Sequence, residues 1–182
     1  LQIFTFLILG AIPLFVDSYY LDNISYLMCW TFISLGLAVI WGMGGILSFG
    51  QTAFFGLAGY GFSVISINFL GVAGVSLWSI ILALILTGVF GLIVGYFLFY
   101  GGIYDVFVGI VTLAITLVFE TFMQQTAGPE YTIGSARLNG FNGMQGMPTI
   151  GFESIPFGLV EGVTQYYFIL ILSIIVLISL YK

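Results

Sequence analysis

Residues Tyr26 to Phe69 read YLMCWTFISLGLAVIWGMGGILSFGQTAFFGLAGYGFSVISINF, and this stretch decides the fold of the chain. It begins with an apolar helical run, Tyr26 to Trp41, that contains no charge. Four glycines then fall within nine residues, before a second apolar run that is rich in small residues. Glycine costs roughly 1 kcal/mol relative to alanine inside a helix. The cluster therefore predicts either close approach of another backbone or an interruption of the helix.

Composition leaves two interpretations of this glycine cluster open. Small residues are common in membrane helices because they allow neighbouring helices to pack closely. An interrupted backbone at membrane depth is tolerated only where protein covers it or water reaches it, and a passage for a polar solute requires such a segment. The residues that either role would use are Gly45, Ser48, Gly50 and Gln51.

The composition identifies the class of protein. Hydrophobic residues make up 61% of the chain and charged residues only 5%, against roughly 25% charged residues in soluble domains. Long apolar runs favour helices over a barrel. We therefore predict an all-α fold, a polytopic transmembrane helix bundle with a glycine-rich interrupted segment, in contact with membrane lipid. Two cations in the whole chain provide no basic surface for nucleic acid.

Enzyme chemistry is not expected. The chain has no histidine and a single cysteine, Cys29, which excludes an internal disulfide and a Cys/His metal site. A Ser/His/Asp set is impossible, and no phosphate-binding GxxxxGK[ST] motif is present. We predict no catalytic residue, no metal and no cofactor on this chain, so that any nucleotide site would lie on another chain.

Six apolar runs predict about six membrane spans in one transmembrane domain over residues 1–182. The runs are Leu1–Val16, Tyr26–Trp41, Thr52–Leu70, Leu77–Phe99, Val106–Thr126 and a last one that begins near Tyr166. Both ends of the chain lie at apolar runs, so we expect a part of a longer protein.

The segments between these runs are short, with one exception. Asp17 and Asp22 bracket a predicted polar turn, and Tyr100 to Asp105 forms another. Residues 127–165 form one long extramembrane segment, whose glycine- and asparagine-rich part predicts ordered turns. Gly91 and Gly95 stand four residues apart on one face of the fourth span, and they should seat a neighbouring helix.

Polar residues inside the spans are the other candidates for function. Glu120 is ionisable within the fifth span, and such carboxylates are functional candidates unless they pair structurally or reach the interface. Thr112 and Thr116 lie one and two helical turns before it on the same face. Outside this stripe, interface hydration would explain Gln51 and Asn68, which flank the third span, and Asn142 has the sequence context of a turn residue.

Orientation depends on two cations, Arg137 and Lys182. Placing Lys182 in the cytoplasm, as the positive-inside rule suggests, puts residues 127–165 outside. Arg137 alone would suggest the opposite. We expect the first arrangement, with the glycine cluster toward the inside.

Three motifs together resemble one family. IWGMGGILSFGQTAFFGLAGY (Ile40–Tyr60), IYDVFVGIVTLAITLVFE (Ile103–Glu120) and LNGFNGMQGMP (Leu138–Pro148) are similar, in order and approximate spacing, to elements of inner-membrane permeases from branched-chain amino acid and urea ABC importers. The similarity covers about residues 24 to 150, and the third motif resembles the M-type permease of the pair.

The resemblance implies a cell inner membrane protein that pairs with a second permease subunit, two ATP-binding subunits and a periplasmic solute-binding protein. ATP would bind on the partner subunits. One departure stands out, because the basic residues that the family has in this turn are missing from Tyr100–Asp105. The resemblance also implies that the ATPase-coupling loop would follow Lys182, so we expect the coupling residues outside this sequence.

A second functional class stays open beside this one. A secondary transporter or channel-like protein with discontinuous helices would use Glu120 as its proton or ion site. In an ATP-driven importer no residue needs to cycle protons, so Glu120 would instead hold helices together or contact loop residues such as Asn142.

Overall fold

The structure of the chain, a computed structural model, describes residues 2–72, 74–104, 106–151 and 161–181. Within them lie the helices α1 (Gln2–Ala11), α2 (Ser18–Gly44), α3 (Gln51–Asn68), α4 (Val75–Tyr100), α5 (Val106–Gln125) and α6 (Gly162–Tyr181). Short 3-10 turns cover Ile12–Leu14 and Gly140–Asn142, and β1 (Thr132–Ile133) pairs with β2 (Ala136–Arg137) in an antiparallel hairpin.

Four of the helices in the described residues are long and apolar enough to cross a membrane. They are Ser18–Gly44, Val75–Tyr100, Val106–Gln125 and Gly162–Leu180, while Thr5–Leu14 is a shorter apolar helix. The helix α3 is not among the four, since Gln51 and Asn68 end it and glycines and serines interrupt its apolar face. The predicted polytopic helical class is confirmed, and the number of six spans stays a prediction.

Two predicted helix starts are wrong. The helix α2 begins at Ser18, so the predicted turn from Asp17 to Asp22 is mostly helical. The Asp17 carbonyl accepts hydrogen bonds from the N–H groups of Tyr20, at 3.0 Å, and Leu21, at 3.1 Å. The polar residues resembled a loop, but Leu21 is buried and extends the packed face of the helix. The helix α6 likewise begins at Gly162, four residues before Tyr166.

The predicted turn after α4 is present, with left-handed backbone at Gly102 (φ 70°). Asp105 and Lys182, on which parts of the sequence argument depend, lie outside the described residues.

The chain divides into two compact units. Unit 1 comprises Leu1–Gly36 and Thr149–Lys182, and unit 2 comprises Leu37–Pro148. The predicted single transmembrane domain stays a prediction.

In unit 2, α3 packs against α4 through small residues. A Cβ atom added to Gly61 would lie 3.2 Å from the Leu86 side chain and 3.7 Å from the Cα of Ala83. Added to Gly91, it would lie 3.6 Å from the Phe54 ring of α3, whereas at Gly95 it would meet only Phe99 of its own helix. Of the predicted glycine pair, only Gly91 therefore seats another helix within this chain.

Unit 1 has a core of Leu21, Tyr166 and Leu170, against which side chains of α1 and α2 pack. Tyr166 is fully buried, and its hydroxyl donates a 2.6 Å hydrogen bond to the Leu9 carbonyl. Pro13 stands four residues after Leu9 and has no N–H, so this carbonyl has lost its helical donor. The tyrosine of α6 replaces the donor that proline removes from α1.

Removal of this hydroxyl should therefore destabilise unit 1. In Tyr166→Phe the Leu9 carbonyl loses its donor in a buried setting, at a cost of about 1–3 kcal/mol. We expect a lower thermal unfolding temperature for the purified protein, whereas Tyr26→Phe, the control for an exposed tyrosine of the same unit, should unfold like the wild type. Equal unfolding temperatures for both variants would contradict this role of Tyr166.

Candidate functional site

The helical backbone is interrupted between Gly44, the last residue of α2, and Gln51, the first of α3. The predicted interruption is confirmed, but it is shorter than predicted because Gly42 and Gly44 are still helical. Gly45 has φ +66°, a left-handed conformation that glycine adopts without steric cost. A Cβ atom there would meet nothing within 4 Å. Gly45 therefore allows the backbone to turn, and no other described group approaches it closely. We call residues 45–50 the interrupted segment.

Two threonines of α5 satisfy the backbone of the interrupted segment at Phe49. The Phe49 N–H donates to Thr112 Oγ1 at 3.0 Å, and the Thr116 hydroxyl donates to the Phe49 carbonyl at 3.1 Å. The Thr112 hydroxyl also donates to the Gly109 carbonyl at 3.1 Å, and the one hydrogen of the Thr116 hydroxyl is shared between the Phe49 carbonyl and the Thr112 carbonyl, the latter at 3.0 Å. The donor and the acceptor of Phe49 are thus both used, as a low-dielectric environment requires.

The interrupted segment lies close to the middle of α5. Thr112 stands six residues and Thr116 ten residues after Val106, which places them about 9 and 15 Å along a helix about 30 Å long. Because α5 is long and apolar enough to span a membrane, the backbone opens at membrane depth and not at the surface.

Two glycines let the interrupted segment approach α5. A Cβ atom at Gly109 would lie 3.2 Å from the Leu47 carbonyl oxygen, and one at Gly50 would lie 3.2 Å from Thr112 Cβ. The Ser48 hydroxyl accepts a 3.3 Å hydrogen bond from the Gly50 N–H. Gly50 was predicted for such an approach. Gly109 was missed, although a glycine three residues before Thr112 on the same helical face was the available signal.

The predicted site residues therefore separate into two groups. The structure brings Ser48, Gly50, Thr112 and Thr116 together, and places Gln51 beside them as the first residue of α3. Their role in translocation stays a prediction.

Glu120 and Asn142 do not join this cluster. Glu120 is exposed, and its Oε1 accepts a 3.1 Å hydrogen bond from Gln124 Nε2 on the same helix. We predicted that Glu120 would hold helices together or contact loop residues such as Asn142. Its described partner is instead Gln124, and this bond lies within one helix. Asn142 is exposed in the 3-10 turn, where its N–H donates to the Asn139 carbonyl at 3.2 Å.

A cavity of about 680 Å³ lies between α3 and α5, closed on one side by the hairpin. Its lining is mostly apolar, with a few polar groups from Thr52, Tyr60, Thr116 and Glu120. A smaller cavity of about 300 Å³ adjoins the interrupted segment and includes Gly45, Phe49 and Gly109. Small-solute sites are concave and mostly apolar with few polar groups, as the larger cavity is.

Residues 127–148 fold as a cap on the ends of α3 and α5. Its core is Ala136, Leu138 and Met144, packed against Tyr60 and Met123 among others. Asn139 takes a left-handed conformation (φ 59°), and its Nδ2 donates to the Gly143 carbonyl at 2.8 Å. The prediction of ordered turns in this part of the chain is confirmed, while Glu153 and Pro156, further along the predicted extramembrane segment, lie outside the described residues.

Asn68 attaches this cap to α3. Its Nδ2 donates to the Ile133 carbonyl at 2.8 Å, and its Oδ1 accepts from the Ser135 N–H at 2.8 Å. Both bonds hold the turn of the hairpin. Interface hydration was therefore the wrong explanation for Asn68, and nothing local in the sequence identifies the distant hairpin as its partner.

Four long apolar helices among the described residues, and a helical backbone interrupted beside the middle of one of them, are typical of a multi-pass membrane protein. The chain matches the family model described as "Branched-chain amino acid transport system / permease component" over residues 19–182, and it belongs to that family. Among curated proteins and among solved structures, none matches the chain. The chain is thus a permease component of this kind, and the inner membrane is the usual location of the family.

The hydrogen bond from Phe49 to Thr112 can be tested locally. Thr112→Val keeps the shape of the side chain but leaves the Phe49 N–H without its acceptor, at a cost of about 1–3 kcal/mol. We expect hydrogen–deuterium exchange in residues 45–50 to become about tenfold faster or more, and Thr112→Ser to exchange like the wild type.

Thr121→Val is the matched control, because Thr121 is exposed on the same helix. If Thr112→Val and Thr121→Val exchange equally in residues 45–50, then Thr112 does not hold the interrupted segment.

Proposed function

We propose that this chain is the membrane permease subunit of an ABC importer that moves branched-chain amino acids, urea or similar small polar solutes into the cell. ATP binds to and is hydrolysed on two separate ATP-binding subunits. A second permease subunit and a periplasmic solute-binding protein complete the assembly. Membership of the permease family supports this proposal.

The observation that carries the proposal is the opening of the backbone at Phe49. A glycine cluster that served helix packing alone would leave the helix continuous, whereas here the helix ends at Gly44 and resumes at Gln51. The threonines of α5 satisfy Phe49 from one side only, and both Gly45 and Phe49 remain exposed. An irregular backbone at membrane depth is tolerated only where protein covers it or where it lines a cavity that water or a polar solute reaches, and the exposed Gly45 and Phe49 favour the second case.

The position of Glu120 favours this function over a proton- or ion-coupled carrier. In carriers with discontinuous helices, the coupling ion is held by the unwound backbone carbonyls and nearby side chains. The described hydrogen bond of Glu120 is to Gln124 on its own helix, and not to a carbonyl of the interrupted segment.

Energy coupling distinguishes the two classes directly. In vesicles that contain the complete assembly, we expect uptake to require ATP and to be abolished when the ATP-binding subunits are left out. An imposed pH gradient should not replace ATP, because no step needs a cycling proton. Uptake driven by the pH gradient without ATP would instead establish the carrier.

The orientation follows from the same proposal. If the ATP-binding subunits dock from the cytoplasm, the cap of residues 127–148 faces the periplasm. Phe141 is 75% exposed in that cap, so Phe141→Cys in a Cys29→Ser background should react with an impermeant thiol reagent added from the periplasmic side. Labelling only from the cytoplasmic side would reverse the orientation.

A further inference from the structure

Two cavities of unit 2 lie one after the other along α5. The first half of α5 lines the small cavity, of about 300 Å³, with Val106, Gly109, Ile110 and Leu113. The second half lines the large cavity, of about 680 Å³, with Thr116, Phe119, Glu120, Phe122 and Met123. Leu113 and Thr116 are one short step apart, about 4.5 Å along the helix axis, so the two cavities are close neighbours at successive depths.

The facing part of the chain changes from one cavity to the other at the same depth. Gly45, Leu47 and Phe49 line the small cavity, whereas the lining of the large cavity begins at Thr52. The hydroxyl of Thr116, on the large cavity, donates at 3.1 Å to the carbonyl of Phe49, on the small one. The contact between Phe49 and Thr116 is therefore the boundary between the two cavities.

Close packing on both sides of Phe49 closes this boundary. A Cβ atom added to Gly50 would lie 3.2 Å from Thr112 Cβ and 3.4 Å from the Phe54 ring. A Cβ atom added to Gly109 would lie 3.4 Å from the ring of Phe49 itself. Even a methyl group would press on its neighbours here, so an amino acid or a urea molecule does not pass while these contacts hold.

The bonds that hold Phe49 can be released at low cost. The Thr112 hydroxyl also donates to the Gly109 carbonyl at 3.1 Å, and the Thr116 hydroxyl to the Thr112 carbonyl at 3.0 Å, so both threonines keep a partner on their own helix. The N–H and C=O groups of Phe49 then need new partners, which water in a continuous cavity supplies. Gly45, with φ +66° and open space at its Cβ position, can absorb the backbone rotation as a hinge.

We propose that Phe49 is the gate of the transport path. While its backbone is bonded to Thr112 and Thr116, it separates the small cavity from the large one, and its release joins them into one passage. The inference rests on the proposed function, to which it adds the place where the path is closed and the bonds that close it.

Thiol accessibility tests this gate in vesicles that contain the permease and ATP-binding subunits. In a Cys29→Ser background, Leu57→Cys reports the large cavity and Leu113→Cys the small one. An impermeant thiol reagent is added from the side of the cap, without ATP. We expect Leu57→Cys to react and Leu113→Cys to be protected. Thr116→Val removes one bond to Phe49 and should speed the reaction of Leu113→Cys roughly 2- to 10-fold, the range of one neutral hydrogen bond. Phe49→Ala, which removes the ring from the boundary, should also expose it.

Phe55→Ala is the matched control, because Phe55 is 52% exposed on α3 and lines neither cavity. It should leave Leu113→Cys protected. Reaction of Leu113→Cys as fast as Leu57→Cys with Phe49 in place would overturn the gate. Protection that persists in both Phe49→Ala and Thr116→Val would overturn it too. So would failure of both variants to assemble, because Phe49 would then support the fold and not close a path.

ATP turnover separates failure of the gate from failure of the proposed function. During ATP-driven leucine uptake, Leu113→Cys should become reactive from the side of the cap, because the gate opens in each cycle. Complete protection while uptake proceeds would reject the gate alone. If the wild-type assembly takes up neither leucine nor urea with ATP, the importer is rejected, and accessibility without ATP still decides whether Phe49 closes the boundary.

Discussion

A backbone that leaves the helical conformation inside a membrane must find other hydrogen-bond partners, and this constraint organises unit 2. Water is scarce at that depth, and each unsatisfied N–H or C=O group costs several kcal/mol. Thr112 and Thr116 meet the constraint at Phe49, one as acceptor and one as donor. They do so because they stand four residues apart on α5, so that hydroxyls one helical turn apart reach the N–H and the C=O group of the same residue.

The same segment fixes the position of α3. This helix begins directly after the interruption, at Gln51, and ends at Asn68, which holds the hairpin of the cap. One helix therefore connects the opening in the backbone to the cap. Close packing on α4 at Gly61 supports it along its length, and the cavity with Glu120 lies on its side toward α5.

In unit 1 a side-chain hydroxyl likewise satisfies a backbone group that has lost its helical hydrogen bond. Pro13 removes the donor that the Leu9 carbonyl would have in a continuous helix, and the buried Tyr166 hydroxyl replaces it. The adjacent Tyr167 hydroxyl donates to the Gly10 carbonyl at 3.1 Å. In both units, hydroxyl side chains of a long apolar helix satisfy a backbone that proline or glycine has interrupted.

The sequence by itself determined the helical membrane class, the interruption near Gly45 and the polar stripe of α5. These follow from composition, glycine clustering and helical period, all of which act over a few neighbouring residues. Only the tertiary structure decided that the stripe binds Phe49, that Gly109 admits Leu47, and that Asn68 holds a hairpin more than sixty residues away. Such pairings depend on which helical faces meet. A polar side chain in an apolar run indicates that a hydrogen-bond partner is needed. The packing of the helices determines which group is that partner.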